Sequence, residues 1–126
     1  MADRAATRTG AQDRLELLQS ELRRFVEVAS GEFGAERVIV FGSVARAMEE
    51  GAEAVGEWSD LDLVVVAETE KPFYERIKHL RKLVRPEVGA DVLVYTPSEW
   101  EQMKSKRSFV KNEMLKKGKV VFKDAG

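Results

Sequence analysis

Residues 38–67 read VIVFGSVARAMEEGAEAVGEWSDLDLVVVA, and this stretch decides the fold. It opens with a continuous apolar run that is ended by Gly42 and Ser43, and it closes with a second apolar run that begins beside Asp60 and Asp62. Short apolar runs rich in β-branched residues and bounded by turn residues are typical of strands covered on both faces. We therefore predict two buried strands, with a glycine turn after the first and two carboxylates at the start of the second.

Helices and strands alternate along the rest of the chain. Apolar residues at steps of three and four predict a helix over residues 12–31 and another over residues 72–86. The remaining elements are short: helices at 44–48, from 97 and around 109–115, strands at 37–41, 61–67, 92–95 and 119–122, and a loop at 49–59. This alternation predicts an α/β or α+β domain with a small central sheet.

The composition fits one folded domain. The chain has 126 residues, of which 44% are apolar and 34% are charged, as is usual for a globular protein. We assign residues 12–124 to this domain and predict a disordered tail at residues 1–11, where small and polar side chains predominate.

Several classes of protein are excluded at this stage. No apolar run approaches the ~20 residues that a membrane-spanning helix needs, and the opening MADRAATRTG lacks the apolar centre of a secretion signal. The absence of cysteine excludes disulfides, thiolate metal sites and cysteine nucleophiles. The net charge of −1 does not predict direct nucleic-acid binding. We expect a cytoplasmic protein, and a homo-oligomer is among the states that the sequence leaves open.

Charge is distributed unevenly. Residues 49–70 carry eight acidic side chains and no basic one, whereas residues 104–126 carry eight basic side chains and two acidic ones. Such asymmetry indicates either separate cation-binding and anion-binding surfaces or merely solvated faces. Both interpretations stay open.

Three aspartates are candidates for metal binding. Strand side chains alternate, so Asp60 and Asp62 are expected on one face, where carboxylates ~6 Å apart repel by about 3 kcal/mol at an effective dielectric of ~20. A divalent cation removes this repulsion, and oxygen ligands favour Mg²⁺. Asp91 begins another apolar strand and completes a three-carboxylate site if the strands are neighbours. Pairing of these aspartates with lysine or arginine is the alternative.

A three-carboxylate site has room for two metal ions. One ion would steady substrate phosphates, and a second would lower the pKa of an attacking hydroxyl. Asp91 would then accept the proton of that hydroxyl.

Gly42-Ser43 is the candidate phosphate-binding turn. Glycine allows close approach of a phosphate, and the N–H groups of a following helix favour anions. The Ser43 hydroxyl can add a hydrogen bond, although a serine here can also be a simple helix cap. Arg46, on the first turn of the same helix, is a candidate for contacting phosphate or for pairing with an acid.

Taken together, GSVAR, SDLDLVVV and ADVLV resemble the signature of the nucleotidyltransferase superfamily that includes DNA polymerase β. The chain is most similar to the minimal nucleotidyltransferase branch, whose ending resembles FVKNEMLKKGKVVFKD, and the resemblance covers residues 12–124. It implies a mixed sheet flanked by helices. It also implies that Gly42 and Ser43 hold triphosphate and that Asp60, Asp62 and Asp91 hold Mg²⁺.

The resemblance further implies an activity and a partner. The reaction would transfer a nucleoside monophosphate from ATP or another NTP to a hydroxyl, releasing pyrophosphate. Members of the branch are commonly encoded beside a HEPN-domain toxin, so we expect this chain to modify such a protein as its antitoxin. Two alternatives are transfer to a small molecule, as in aminoglycoside nucleotidyltransferases, and a non-catalytic module that binds nucleotide or a partner.

The chain departs from the branch at two places. Ala47 stands where members often have glycine, and the acidic interval between Ser43 and Asp60 is longer than usual. Neither change removes an expected ligand, and both bear on the acceptor side of the site.

Overall fold

The computed structural model describes residues 10–105 and 117–124. Helices and strands follow each other in these ranges as α1 (Gly10–Ser30), β1 (Ala35–Phe41), α2 (Gly42–Glu50), a 3-10 turn (Ala52–Ala54), β2 (Leu61–Ala67), α3 (Phe73–Val84), β3 (Ala90–Tyr95), α4 (Pro97–Ser105) and β4 (Lys119–Lys123). Strand β2 has the predicted limits, because its apolar run is bounded by polar residues on both sides.

The strands form one mixed sheet in the order β3-β2-β1-β4. Strand β1 runs antiparallel to both β2 and β4, whereas β2 and β3 are parallel. The parallel pair is joined by α3, as expected, because parallel neighbours need a crossover connection. The prediction of a small mixed sheet flanked by helices is therefore confirmed.

Apolar side chains cover both faces of the sheet. Alternate strand residues such as Val38, Val40 and Leu63 pack with α1, α2 and α3 in the larger core. The intervening residues Ile39 and Val64 face the other way and pack with Trp100 of α4 in a smaller cluster. Burial on both faces explains why β1 and β2 are continuous apolar runs rather than alternating ones.

The segment after β1 differs from the expectation of a short helix and a loop. Helix α2 begins at Gly42 and includes Glu49 and Glu50, and Ala52–Ala54 form a 3-10 turn. The loop was predicted from its glycines and its lack of period, but the glutamates are good helix formers and continue α2 as far as Gly51. The predicted helix around residues 109–115 lies outside the described residues.

Two buried charged networks hold the helices to the sheet. Glu21, only 2% exposed, accepts hydrogen bonds from Arg24 and from the Glu87 N–H at 2.6 Å. Burial raises the pKa of Glu21, but these donors outweigh it, so the net shift is downward. The network connects α1 to the segment that follows α3.

The second network lies at the C-terminal end of β3 and connects α3 to α4. Arg76 is buried and donates to Glu99 at 2.7 Å and to the Lys71 carbonyl at 2.7 Å. Glu99 also exchanges hydrogen bonds with Thr96, because its carboxylate accepts from the Thr96 N–H and its own N–H donates to the Thr96 hydroxyl. This capping box starts α4.

No helix in the described ranges is both long and apolar enough to cross a membrane.

Candidate active site

The predicted phosphate and metal residues meet at one edge of the sheet. Strand β1 ends at this edge and its antiparallel neighbour β2 begins there, so Phe41 pairs with Asp62. Strand β3 is parallel to β2 and therefore begins at the same edge, where Asp62 pairs with Asp91. The topology thus brings together residues that are separated by up to 49 positions in the sequence.

Gly42 lies directly against the carboxylate of Asp62. Its φ is +71°, a conformation that favours glycine. A Cβ at this position would lie 3.2 Å from Cγ of Asp62 and would collide with Oδ2 of the same side chain. Glycine is therefore required here both by the turn and by the close approach of the aspartate.

Helix α2 begins at this glycine. Phe41 is its N-cap and provides no side-chain hydrogen bond to the helix. The alternative of Ser43 as a simple cap is wrong, because Ser43 lies inside the first turn. Arg46 is exposed and stands one turn beyond Gly42 on the same face of α2. The start of α2 and Ser43 thus lie at the sheet edge that carries Asp62, with Arg46 one turn further along the helix.

Asp62 and Asp91 form a carboxyl pair. The Asp62 side chain lies on the same sheet face as Val64, as alternation along β2 requires. Burial, together with the charge of Asp91 and a hydrogen bond to it, raises the pKa of Asp62 to about 6. The two carboxyl groups are therefore close enough for the charge of Asp91 to oppose ionisation of Asp62.

Asp60 stands beside this pair but has other neighbours. It precedes β2 by one residue, so strand alternation does not orient its side chain. Oδ1 of Asp60 lies 3.9 Å from Nη2 of Arg14, and its side chain is 50% exposed. On its other side the carboxyl group packs against Gly89, where a Cβ would lie 2.7 Å from Cγ of Asp60. Its charge makes the smallest contribution to the raised pKa of Asp62.

The donor set fits a hard cation. Asp62 and Asp91 offer only oxygen atoms, and a divalent ion would offset both the burial and the neighbouring carboxyl charges that raise the pKa of Asp62. Within residues 10–105 and 117–124, no three His, Cys, Asp or Glu side chains are grouped closely enough to hold one ion. The structure therefore brings together two of the three predicted ligands, and Asp60 as the third stays a prediction.

The segment before Asp60 presents an exposed tryptophan. Residues 56–59 form a tight turn in which the Gly56 N–H donates to the Ser59 hydroxyl at 2.9 Å and the Ser59 N–H donates to the Gly56 carbonyl at 3.2 Å. Trp58 stands on this turn and is 87% exposed. The Trp58 ring is therefore not packed against the scaffold, and a large aromatic surface faces solvent two residues from Asp60.

Sequence reasoning missed Arg14. Its guanidinium donates two hydrogen bonds to the Ser59 carbonyl, at 2.8 Å and 3.1 Å, across 45 positions of sequence. Nothing in the pattern of α1 distinguishes Arg14 from the other arginines of that helix. By contrast, the glycine turn and the aspartates can be recognised from the sequence immediately around them, because they border apolar runs.

A helix N-terminus beside two carboxylates is a combination suited to a phosphate ester and its counter-cation. The comparisons with known proteins agree with this chemistry. The nucleotidyltransferase domain family matches residues 21–120, and the chain belongs to that family. No significant match is found among curated proteins.

The fold also has a counterpart among solved structures. The chain is similar to a proposed nucleotidyltransferase from Sulfolobus solfataricus, known from a crystal structure at 1.40 Å resolution. The TM-score is 0.63 with 19% identity, over 93% of this chain and 90% of the other. At this identity the likeness shows a shared fold.

Proposed function

We propose that this chain is a Mg²⁺-dependent nucleotidyltransferase that transfers AMP from ATP to a hydroxyl group of a HEPN-domain toxin protein in the cytoplasm, and that it acts as the antitoxin of that toxin. Membership of the nucleotidyltransferase domain family supports nucleotidyl transfer in general. The observation that carries the proposal is the contact of Gly42 with Asp62, which in turn pairs with Asp91. It joins the expected phosphate half and metal half in one site.

The phosphate half would bind the triphosphate. The N–H groups at the start of α2 would receive its oxygens, with the Ser43 hydroxyl donating a further hydrogen bond and Arg46 supplying a positive charge. Because Gly42 carries no side chain, the Asp62 carboxylate lies directly against the start of this helix, next to the expected phosphate position. The strongest phosphate contacts would therefore come from backbone groups that the fold already orients.

The carboxylate half would hold the cation and receive a proton. Asp62 and Asp91, with Asp60, would hold Mg²⁺, which when bound supplies positive charge against the triphosphate. The acceptor oxygen attacks the α-phosphorus, a new P–O bond forms, and the bond to the bridging oxygen breaks with its electron pair on departing pyrophosphate. Asp91 is exposed at the same sheet edge, so its carboxylate would be the acceptor of the hydroxyl proton.

The test uses α-labelled ATP, Mg²⁺ and the HEPN-domain protein encoded beside this chain. We expect label on the partner with wild type, and a loss of at least about 100-fold with Asp62→Asn or Asp91→Asn. Glu36→Gln serves as the control because Glu36 is an exposed acid at the opposite end of β1. Equal labelling by all four proteins, or none by wild type, would reject the proposal.

A second candidate is a module that binds the partner without turnover. The observation that favours it is the exposure of Trp58, since tryptophan is enriched among residues that dominate protein interfaces. Calorimetry distinguishes the two functions. Tight partner binding that is unchanged by the aspartate substitutions, without consumption of ATP, supports the module and contradicts the transferase.

A further inference from the structure

Arg14 connects the first helix to the segment that carries Asp60. Both of its hydrogen bonds go to one atom, the Ser59 carbonyl oxygen, from Nε at 3.1 Å and from Nη2 at 2.8 Å. This carbonyl belongs to the peptide bond between Ser59 and Asp60, so the contact fixes the backbone immediately before the aspartate.

The same guanidinium leaves the carboxylate of Asp60 available. Nη2 lies 3.9 Å from Oδ1, which is too far for a hydrogen bond. The positive charge therefore attracts the Asp60 side chain without occupying its oxygens. The Asp60 side chain is 50% exposed, whereas that of Arg14 is only 23% exposed, so the arginine is the better-fixed partner.

Gly89 holds Asp60 from the strand β3 side. The carboxyl group packs where a Cβ of residue 89 would be, and the Leu61 N–H donates to the Gly89 carbonyl at 3.0 Å. Gly89 is two residues before Asp91. Arg14 and Gly89 thus hold Asp60 between them, next to the pair of Asp62 and Asp91.

We propose that Arg14 is a positioning residue for the cation. By holding the Ser59 carbonyl, it fixes the Asp60 backbone beside Asp62 and Asp91, so that the half-exposed Asp60 side chain can rotate to the cation and become its third carboxylate ligand. The inference rests on the proposed function in one respect, the binding of a divalent cation. Arg14 precedes the residues 21–120 matched by the family, whereas its partner Ser59 lies within them. Residues that orient metal ligands typically change metal affinity about 10- to 100-fold when substituted.

The experiment measures Mn²⁺ binding by electron paramagnetic resonance in the absence of nucleotide. Arg14→Met removes both hydrogen bonds and is expected to weaken Mn²⁺ binding by about 10-fold or more. Arg14→Lys keeps one charged donor and is expected to recover part of the affinity. Arg23→Met, an exposed arginine on the same helix, is the matched control and should bind Mn²⁺ as wild type does.

A second readout does not depend on any metal. Amide hydrogen exchange at Asp60 and Leu61 should be faster in metal-free Arg14→Met than in wild type, and unchanged in Arg23→Met. Thermal unfolding of each variant checks that it is folded. If Arg14→Met does not fold, Arg14→Lys replaces it in the test. The expected result is then a several-fold loss of Mn²⁺ affinity relative to wild type.

The outcomes separate this inference from the proposed function. Equal Mn²⁺ affinity in wild type and in the folded Arg14 variants would overturn the positioning role alone. A wild-type protein that binds Mn²⁺ in an Arg14-dependent way but transfers no nucleotide would contradict the proposed function and leave the positioning role supported. A wild-type protein that binds no Mn²⁺ would overturn both.

Discussion

Asp62 and Asp91 pair directly across the parallel strands β2 and β3, and burial together with the adjacent Asp91 raises the pKa of Asp62. The pair lies at the sheet edge where β1 ends, so Phe41 and the glycine turn after it are its immediate neighbours. Two adjacent acidic side chains lower the stability of the metal-free protein, but they also provide the oxygen ligands that a divalent cation needs.

Asp62→Asn should stabilise the metal-free protein. The pKa of Asp62 is raised from 3.8 to about 6, so ionisation at pH 8 opposes folding. Removing the charge should raise the free energy of unfolding by about 1–2 kcal/mol, allowing for partial solvent exposure. Urea denaturation at pH 8 with EDTA measures the change, with Glu36→Gln as the control. A clear destabilisation would show that the carboxylate is satisfied without a cation.

Gly42→Ala should damage both the fold and the phosphate site. The new Cβ would meet the Asp62 carboxylate, and the positive φ of residue 42 strains any other residue. We expect a loss of about 1–3 kcal/mol in stability and a loss of ATP binding. Gly56→Ala is the control because a Cβ there meets its nearest atom at an ordinary 3.8 Å. Wild-type stability and ATP affinity in Gly42→Ala would contradict the geometry.

Glu99→Gln should destabilise the protein in a pH-dependent way. The hydrogen bond from Arg76 is the main cause that holds the pKa of Glu99 below its ordinary value of 4.5. A lowered pKa means that the ionised group stabilises the fold above about pH 4.5 and that this contribution is lost as pH falls. The difference from wild type should be about 1–2 kcal/mol at pH 7.

The pH series supplies the check on Glu99. The gap between wild type and Glu99→Gln should narrow steadily below pH 4.5, while the exposed control Glu70→Gln should follow wild type at every pH. A gap that does not depend on pH would mean that Glu99 contributes by packing and not by its charge.

Trp58→Ala should affect the acceptor and not the fold. Because the side chain is 87% exposed, its removal should change stability by no more than about 0.5 kcal/mol. We expect weaker labelling of the partner protein with unchanged ATP affinity. The control is Tyr74→Ala, which removes another exposed aromatic ring, 78% exposed, from α3. Labelling that is as strong as in wild type would exclude Trp58 from acceptor binding.

Much of this site could be predicted because its signals are local. A glycine after an apolar run and aspartates beside the next run are visible in the sequence, and the register of β2 with β3 then brings Asp91 to Asp62. The contacts of Arg14 and Glu21 could not be predicted, because their partners lie 45 and 66 positions away. A charged residue on a helix face usually indicates solvent, and only tertiary packing reveals one that is buried and paired.

Two expectations near α2 are wrong for a related reason: Ser43 as a simple helix cap, and residues 49–59 as a loop throughout. A serine after glycine is a strong local cap signal, but the turn at Gly42 starts the helix one residue earlier and leaves Ser43 inside it. Helix propensity then carries α2 through Glu50. At Ser43 the turn after the strand overrode the local cap signal, whereas at Glu49 and Glu50 helix propensity outweighed the nearby glycines.

We infer that Gly42, Asp62 and Asp91 form one site for nucleotide and metal. A crystal structure with a non-hydrolysable ATP analogue and Mn²⁺, located by its anomalous scattering, would show whether they do. We expect Mn²⁺ bound by Asp62 and Asp91, with the triphosphate on the N–H groups at the start of α2. Analogue and metal bound at any other place on the chain would contradict this inference.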